Sequence, residues 1–187
     1  MKTNRRIHPA WIAAIVTFFT LVATAGFRSA PSVLIIPLQD AFGWHRDQIS
    51  LAIAINVLLY GLTAPFAAAL MERFTVRKVV MGALTTVSTG AFLTTLIHAP
   101  WQLIATWGVI VGIGTGSMAL VFAATVANRW FVKRRGLVIG GLTAAAAMGQ
   151  LIFLPGLTHL SGMYGWKSIG LTIGAAALLM VPMIYVF

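Results

Sequence analysis

The feature that most constrains this chain is a series of apolar runs of bilayer length joined by loops of only a few residues. The runs fall at about 10–38, 49–71, 79–97, 102–128, 137–160 and 168–187. Each is near the ~20 apolar residues a helix needs to cross a hydrocarbon core. Composition rules out the alternative of a soluble domain. Only 9% of residues are charged and 59% are hydrophobic, whereas a soluble fold carries about 25% charged residues. With three acidic residues in all, there is too little charge to cover a globular surface. The expected fold class is therefore all-α integral membrane, a single bundle of six transmembrane helices over residues 1–187.

A net charge of +10 would suggest nucleic acid if the basic residues shared one soluble face. Instead they cluster between alternate apolar runs: Lys2, Arg5 and Arg6, then Arg73, Arg77 and Lys78, then Arg129, Lys133, Arg134 and Arg135. Only Arg46 and Lys167 fall in the opposite set of loops. This asymmetry is the positive-inside pattern. It argues against nucleic acid and predicts a multi-pass protein of the cell (inner or plasma) membrane with a cytoplasmic N-terminus. The basic opening followed by Ala23-Thr24-Ala25 mimics a cleavable secretory signal, but the apolar stretch is long for one and five more runs follow. No cysteine is present, which removes disulfides, thiolate metal sites and thiol catalysis.

Inside the first run stands one arginine, in Ala25-Gly26-Phe27-Arg28-Ser29-Ala30-Pro31. A charge at mid-membrane costs about 2.5–3.5 kcal/mol on insertion scales and marks a functional site by default. The 13 Ile, Val, Leu and Phe residues between Ala10 and Leu38, at about −0.3 to −0.6 kcal/mol each near the centre, offset it. Thr17, Thr20, Thr24, Arg28 and Ser32 recur at helical spacing and form one stripe, expected to face the bundle interior or a cavity. Back-bonding of the hydroxyls to their own helix is the plainer account of the Thr and Ser residues; it does not neutralise Arg28.

Glycine spacing points to packing. Gly108, Gly112 and Gly116 stand four residues apart and are continued, after a step of three, by the small residues Ala119, Ala123 and Ala127; Gly141, Ala145 and Gly149 repeat the spacing of four. Such ridges let helix backbones approach closely; a phosphate-binding loop would need a preceding strand and a following lysine that are missing. Asn56 and Gln150 are interior amides that could hydrogen-bond a solute or bridge two helices, bridging being the simpler reading. The histidines His8, His45, His98 and His159 sit near helix ends, and none has a second ligand at metal spacing, so neither a metal nor a cofactor is implied. His159 and Ser161 are the bare ingredients of an intramembrane hydrolase, without an evident oxyanion hole.

Several segments carry a family resemblance. Leu70, Glu72, Arg73 and Arg77 follow the loop pattern Gly-x-Leu-Ala-Asp-Arg-x-Gly-Arg-Arg/Lys between helices 2 and 3 of the major facilitator superfamily, with Ala68 and Thr75 in place of its glycines, Val76 in place of the first of its final basic pair, and Lys78 one residue beyond. Gly26-Phe27-Arg28-Ser29, Pro37-Leu38, Phe42-Gly43-Trp44 with Ile49-Ser50, and Arg129-Trp130-Phe131 with Arg134-Arg135-Gly136 resemble its monocarboxylate-transporter-like branch, including oxalate/formate-type relatives. The resemblance implies the N-terminal half of that fold, built as a 3+3 inverted repeat. It also implies alternating-access transport of a small organic anion, often with a proton, and no enzymatic activity. The helix-4 arginine of many proton-coupled members is replaced by Gly108.

On this reading the substrate-binding candidates are Arg28, Thr24, Ser32, Asn56 and Gln150. Arginine suits the role because its planar fork matches a carboxylate. Gating is assigned to Glu72, Arg73, Arg77, Arg134 and Arg135. The expected partners are the anion, the lipid bilayer, and either an absent C-terminal six-helix half or a second copy of the chain, because the sequence stops in apolar Val186-Phe187. The rival reading is a non-transporting membrane assembly or scaffold module in which Arg28 pairs with a partner helix or a lipid headgroup. An intramembrane enzyme ranks third.

Overall fold

The computed structural model describes residues 9–118, 120–130 and 135–186, and within them side chains outside 9–14, 120–122, 129–130, 135 and 186. The elements are α1 (Pro9–Phe42), α2 (Arg46–Arg73), α3 (Val76–Thr94), α4 (Pro100–Leu103), a π-helical stretch (Ile104–Val111), α5 (Gly112–Gly116), α6 (Leu120–Trp130), α7 (Arg135–Tyr164) and α8 (Lys167–Val186). No strand occurs among the described residues. Four helices there are long and apolar enough to cross a membrane: Ile15–Phe42, Arg46–Arg73, Gly136–Tyr164 and Lys167–Tyr185.

The helices mostly extend past the expected apolar limits because polar termini add turns the hydropathy pattern does not see. α1 ends at Phe42, four residues beyond Leu38, and the Gly43 N–H then donates to the Gln39 carbonyl at 2.8 Å. Gly43 adopts φ +66°, a left-handed conformation that stops the helix without a Cβ clash. Gly165 repeats the device between α7 and α8 at φ +77°, its N–H donating to Ser161 at 2.9 Å. The aromatic residues beside these turns meet: Phe42 stacks on Trp44 at 4.6 Å and lies 5.4 Å from Trp166. Gln48 and Gln102 each return a side-chain oxygen to the backbone N–H three residues earlier, on His45 (3.3 Å) and Ala99 (3.1 Å), and so close the starts of α2 and α4.

The fourth apolar run departs most from expectation. The expectation is a continuous helix over 102–128; the chain instead passes through α4, the π-helical stretch and α5 to a turn at Ser117–Met118, where the Met118 N–H donates three residues back to the Thr115 carbonyl at 3.1 Å. Apolar periodicity does not distinguish an α-turn from a slightly wider π-turn, so the π-helical stretch leaves no mark in the hydropathy pattern.

Three helix pairs form the packing units. α1 lies along α7, α3 along α8, and α2 along the π-helical stretch and α5. Phe27, Leu38, Ile49, Leu84, Trp107, Ile169 and Ile173 lie buried where these pairs meet. In the third pair the glycine ridge works as its spacing suggests. A Cβ on Gly108, Gly112 or Gly116 would stand 3.1, 3.1 and 2.8 Å from backbone atoms of Ala52, Asn56 and Tyr60 respectively, so two four-residue ladders mesh. Gly149 does the same for the first pair, against Val22 and Ala25. Gly141 does not: it faces open space and lines a shallow apolar recess with Phe18, so the second ridge is shorter than its spacing implied.

Candidate functional site

The meshing of the glycine ridge with α2 fixes the site. It presses α2 against the fourth run at Asn56 and Tyr60, one helical turn apart, and both face α1 at Arg28. Arg28 itself is exposed, whereas its neighbours Phe27, Ser29 and Ala30 are buried. Pro31, three residues on, lines the larger of two clefts beside Arg28 and has no N–H to give the Phe27 carbonyl, which is left without its intrahelical donor.

Two clefts meet at the guanidinium. The larger, about 310 Å³, is walled by Arg28, Ser32, Asn56 and Gln150 together with Tyr60 and apolar Ile35, Ile53 and Val57. The smaller, about 40 Å³, is walled by Thr24, Arg28, Tyr60, Thr115, Met118 and apolar neighbours. Four of the five residues singled out as anion ligands thus line one cleft, and Thr24 lines the next. No carboxylate lines either.

The hydrogen bonds sort these residues by what each can offer. Thr20, Thr24, Ser29 and Ser32 donate to Val16, Leu21, Ala25 and Ser29 carbonyls at 2.8, 3.0, 3.1 and 2.7 Å. Thr20, Thr24 and Ser32 of the stripe, and Ser29 beside it, are therefore back-bonded, their protons spent on their own helix and their lone pairs left over. The Thr17, Thr20 and Thr24 end of the stripe is buried in the bundle, while Arg28 and Ser32 open on the cleft. Asn56 bridges: Nδ2 donates to the Trp107 carbonyl in the π-helical stretch at 2.7 Å. One amide N–H and the Oδ1 remain for the cleft. Gln150 is exposed at its wall. Donors for an anion therefore converge from Arg28, Gln150 and the second Asn56 N–H.

Sequence reasoning missed Tyr60. Its ring lies under the Arg28 guanidinium, Cζ to centroid 4.9 Å, and it lines both clefts. The available signal was its place four residues after Asn56 on one face of α2. Trp107 was also missed; its indole N–H is buried and has no partner among the described residues.

Of the gating candidates, Glu72, Arg73 and Arg77 lie at one end of the bundle. Glu72 and Arg73 close α2 and are exposed, with Arg73 5.7 Å from the Phe74 ring. Arg77, in the first turn of α3, is half-buried over Tyr185 of α8 at 4.5 Å, which ties the α3–α8 pair at that end. Arg134 lies outside the described residues, as does the side chain of Arg135. His159 and Ser161 do not form the dyad a hydrolase would need: the Ser161 hydroxyl is buried without a hydrogen-bond partner among the described residues. No group of three His, Asp or Glu side chains there is placed to hold a metal.

Comparison with known proteins agrees with this architecture. The family model of the Major Facilitator Superfamily matches residues 14–187. The chain is 29% identical over 170 residues to the uncharacterized MFS-type transporter YcxA of Bacillus subtilis, covering 90% of this chain and 41% of that protein. It is 29% identical over 174 residues to monocarboxylate transporter 9 of Mus musculus (90% and 33%), and 29% over 157 residues to monocarboxylate transporter 7 of Homo sapiens (84% and 30%). The chain spans between 30% and 41% of the length of these curated relatives.

Proposed function

The chain belongs to the Major Facilitator Superfamily, a multi-pass membrane protein by its apolar helices, and from that membership we propose that it serves transport of a small organic anion of monocarboxylate type by alternating access. The observation that carries the proposal is the exposed Arg28, which lines two clefts, the larger also walled by the amides of Asn56 and Gln150 and neither by a carboxylate. In a low-dielectric site a guanidinium without a counter-ion favours an anion, and its planar fork favours a carboxylate. The names of the monocarboxylate transporters among its relatives support the solute class.

In this reading Arg28 binds the carboxylate, Gln150 and Asn56 supply further donors, and Thr24 and Ser32 shape the walls with spent hydroxyls. The chain is the N-terminal six-helix half, with α3 and the 100–130 run as the remaining two spans; the 19 residues of α3 reach about 28 Å, close to a hydrocarbon core. The pairing supports a 3+3 inverted repeat: exchanging spans 1, 2 and 3 with 4, 5 and 6 turns the first–fifth pair into the fourth–second pair and leaves the third–sixth pair unchanged. Glu72, Arg73, Arg77, Arg134 and Arg135 hold the cytoplasmic end during rocking, and a second six-helix bundle completes the pathway. The apolar side chains Leu58, Phe66, Leu151 and Ile152, exposed on α2 and α7, are available to that bundle or to lipid.

The test is uptake of labelled lactate, pyruvate, formate and oxalate into liposomes holding the protein. Accumulation that collapses at least about tenfold in Arg28→Ala is expected, as the loss of a charge-assisted pair. Equal uptake by the variant and the parent would sink the assignment.

A further inference from the structure

The Arg28–Tyr60 pair deepens this reading and rests on it. A guanidinium is flat: its faces accept an aromatic ring, while its five N–H groups lie in its plane and point outward. The Tyr60 ring lies under Cζ at 4.9 Å and attracts the cation through its π-face, a contact that takes no in-plane donor when the two planes stack. Arginine otherwise has a long, freely rotating stem, and no carboxylate lines either cleft to hold it. Tyr60, by contrast, is anchored. Its backbone is pressed against Gly116, where an added Cβ would stand 2.8 Å from the Tyr60 oxygen and 2.9 Å from its Cα.

We propose that Tyr60 is the positioning residue for Arg28: its ring, fixed by the α2–α5 contact, parks the guanidinium at the boundary of the two clefts with its donor edge free for a carboxylate. The glycine ridge, the aromatic ring and the anion site then form one chain of support. The ring supplies this support, and the phenolic hydroxyl does not. A moved or loosened Arg28 still carries charge, so removing the ring weakens anion binding without abolishing it.

The experiment uses the protein in liposomes, phenylglyoxal as the arginine reagent, sodium lactate as the anion, and peptide mass spectrometry to follow each arginine. The modification rate of Arg28 is divided by that of Arg46, exposed at the start of α2, which cancels general unfolding. Without lactate, the ratio rises about threefold or more in Tyr60→Leu and stays within about twofold in Tyr60→Phe, because only the first removes the ring. The lactate concentration giving half protection of Arg28 rises roughly 2- to 30-fold in Tyr60→Leu and little in Tyr60→Phe. An unchanged ratio in Tyr60→Leu, or a Tyr60→Phe protein as altered as Tyr60→Leu, overturns the role of the ring. Failure of lactate to protect Arg28 in the parent protein overturns the anion reading instead, and the lactate-free comparison still decides Tyr60.

Discussion

At the scale of the residue, Arg28 and Asn56 show how one polar side chain in an apolar helix acquires a task from what surrounds it. Arg28→Lys keeps the charge but offers an ammonium in place of a planar fork. Its half-saturating lactate concentration in uptake assays is expected to rise by about tenfold, with the arginine protein as reference; equal affinities would mean that only charge matters. Asn56 spends one N–H on the Trp107 carbonyl across the helix interface. Asn56→Ala is expected to lower stability to unfolding in detergent by about 0.6–1.7 kcal/mol, the range for hydrogen bonds between membrane helices. A shift indistinguishable from zero would remove the bridge from the energetics. Arg28 was legible in the sequence because a lone charge in lipid is expensive. Asn56 was legible as a bridge or a ligand, and only the coordinates showed that it bridges while still lining the cleft. Tyr60 was not legible, since a tyrosine in a membrane helix is ordinary until an arginine is found over its face.

At the scale of the element, small residues decide which helices touch. A side chain at Gly149 would meet the Val22 carbonyl and the Ala25 Cβ on α1, whereas Gly140, nine residues earlier on α7, faces open space. Gly149→Leu is therefore expected to destabilise the α1–α7 pair by about 1–3 kcal/mol, as overpacking does. Gly140→Ala should be neutral or slightly stabilising. Thermal unfolding of the two variants in the same detergent checks the contrast, and equal melting temperatures would contradict the close approach at Gly149. The spacing of Gly108, Gly112 and Gly116 predicted a ridge, and its partners on α2 were beyond the sequence. Gly141 shows the limit: the same spacing on α7 leads to a residue without a facing backbone. The π-helical stretch carries the same lesson, because a helix widened by one residue per turn keeps its apolar character and hides in the pattern.

At the scale of the whole molecule, orientation and pairing set what the site can reach. The absence of cysteine gives a clean background for labelling. The positive-inside pattern predicts a cytoplasmic α2–α3 turn; on that orientation Thr75→Cys should react with a membrane-impermeant maleimide only in inside-out vesicles, and His98→Cys only in right-side-out vesicles or cells. Both residues are exposed and lie at opposite ends of α3. The reverse result would invert the topology, and reaction of both from one side would show that α3 does not cross.

The sequence by itself determined the class of the molecule, because bilayer-length apolar runs with so few charges cannot form a soluble surface. It determined most helix limits to within a few residues, because glycines 43 and 165 and the charged turns stop helices locally. It also singled out Arg28, since the cost of a charge in lipid is a local property. Only the tertiary structure decided which helix lies beside which, that the glycine ladder of the fourth run seats Asn56 and Tyr60, and that Tyr60 lies against Arg28 between two clefts. Those facts depend on contacts between residues far apart in the chain, made through backbone surfaces that no side-chain pattern displays.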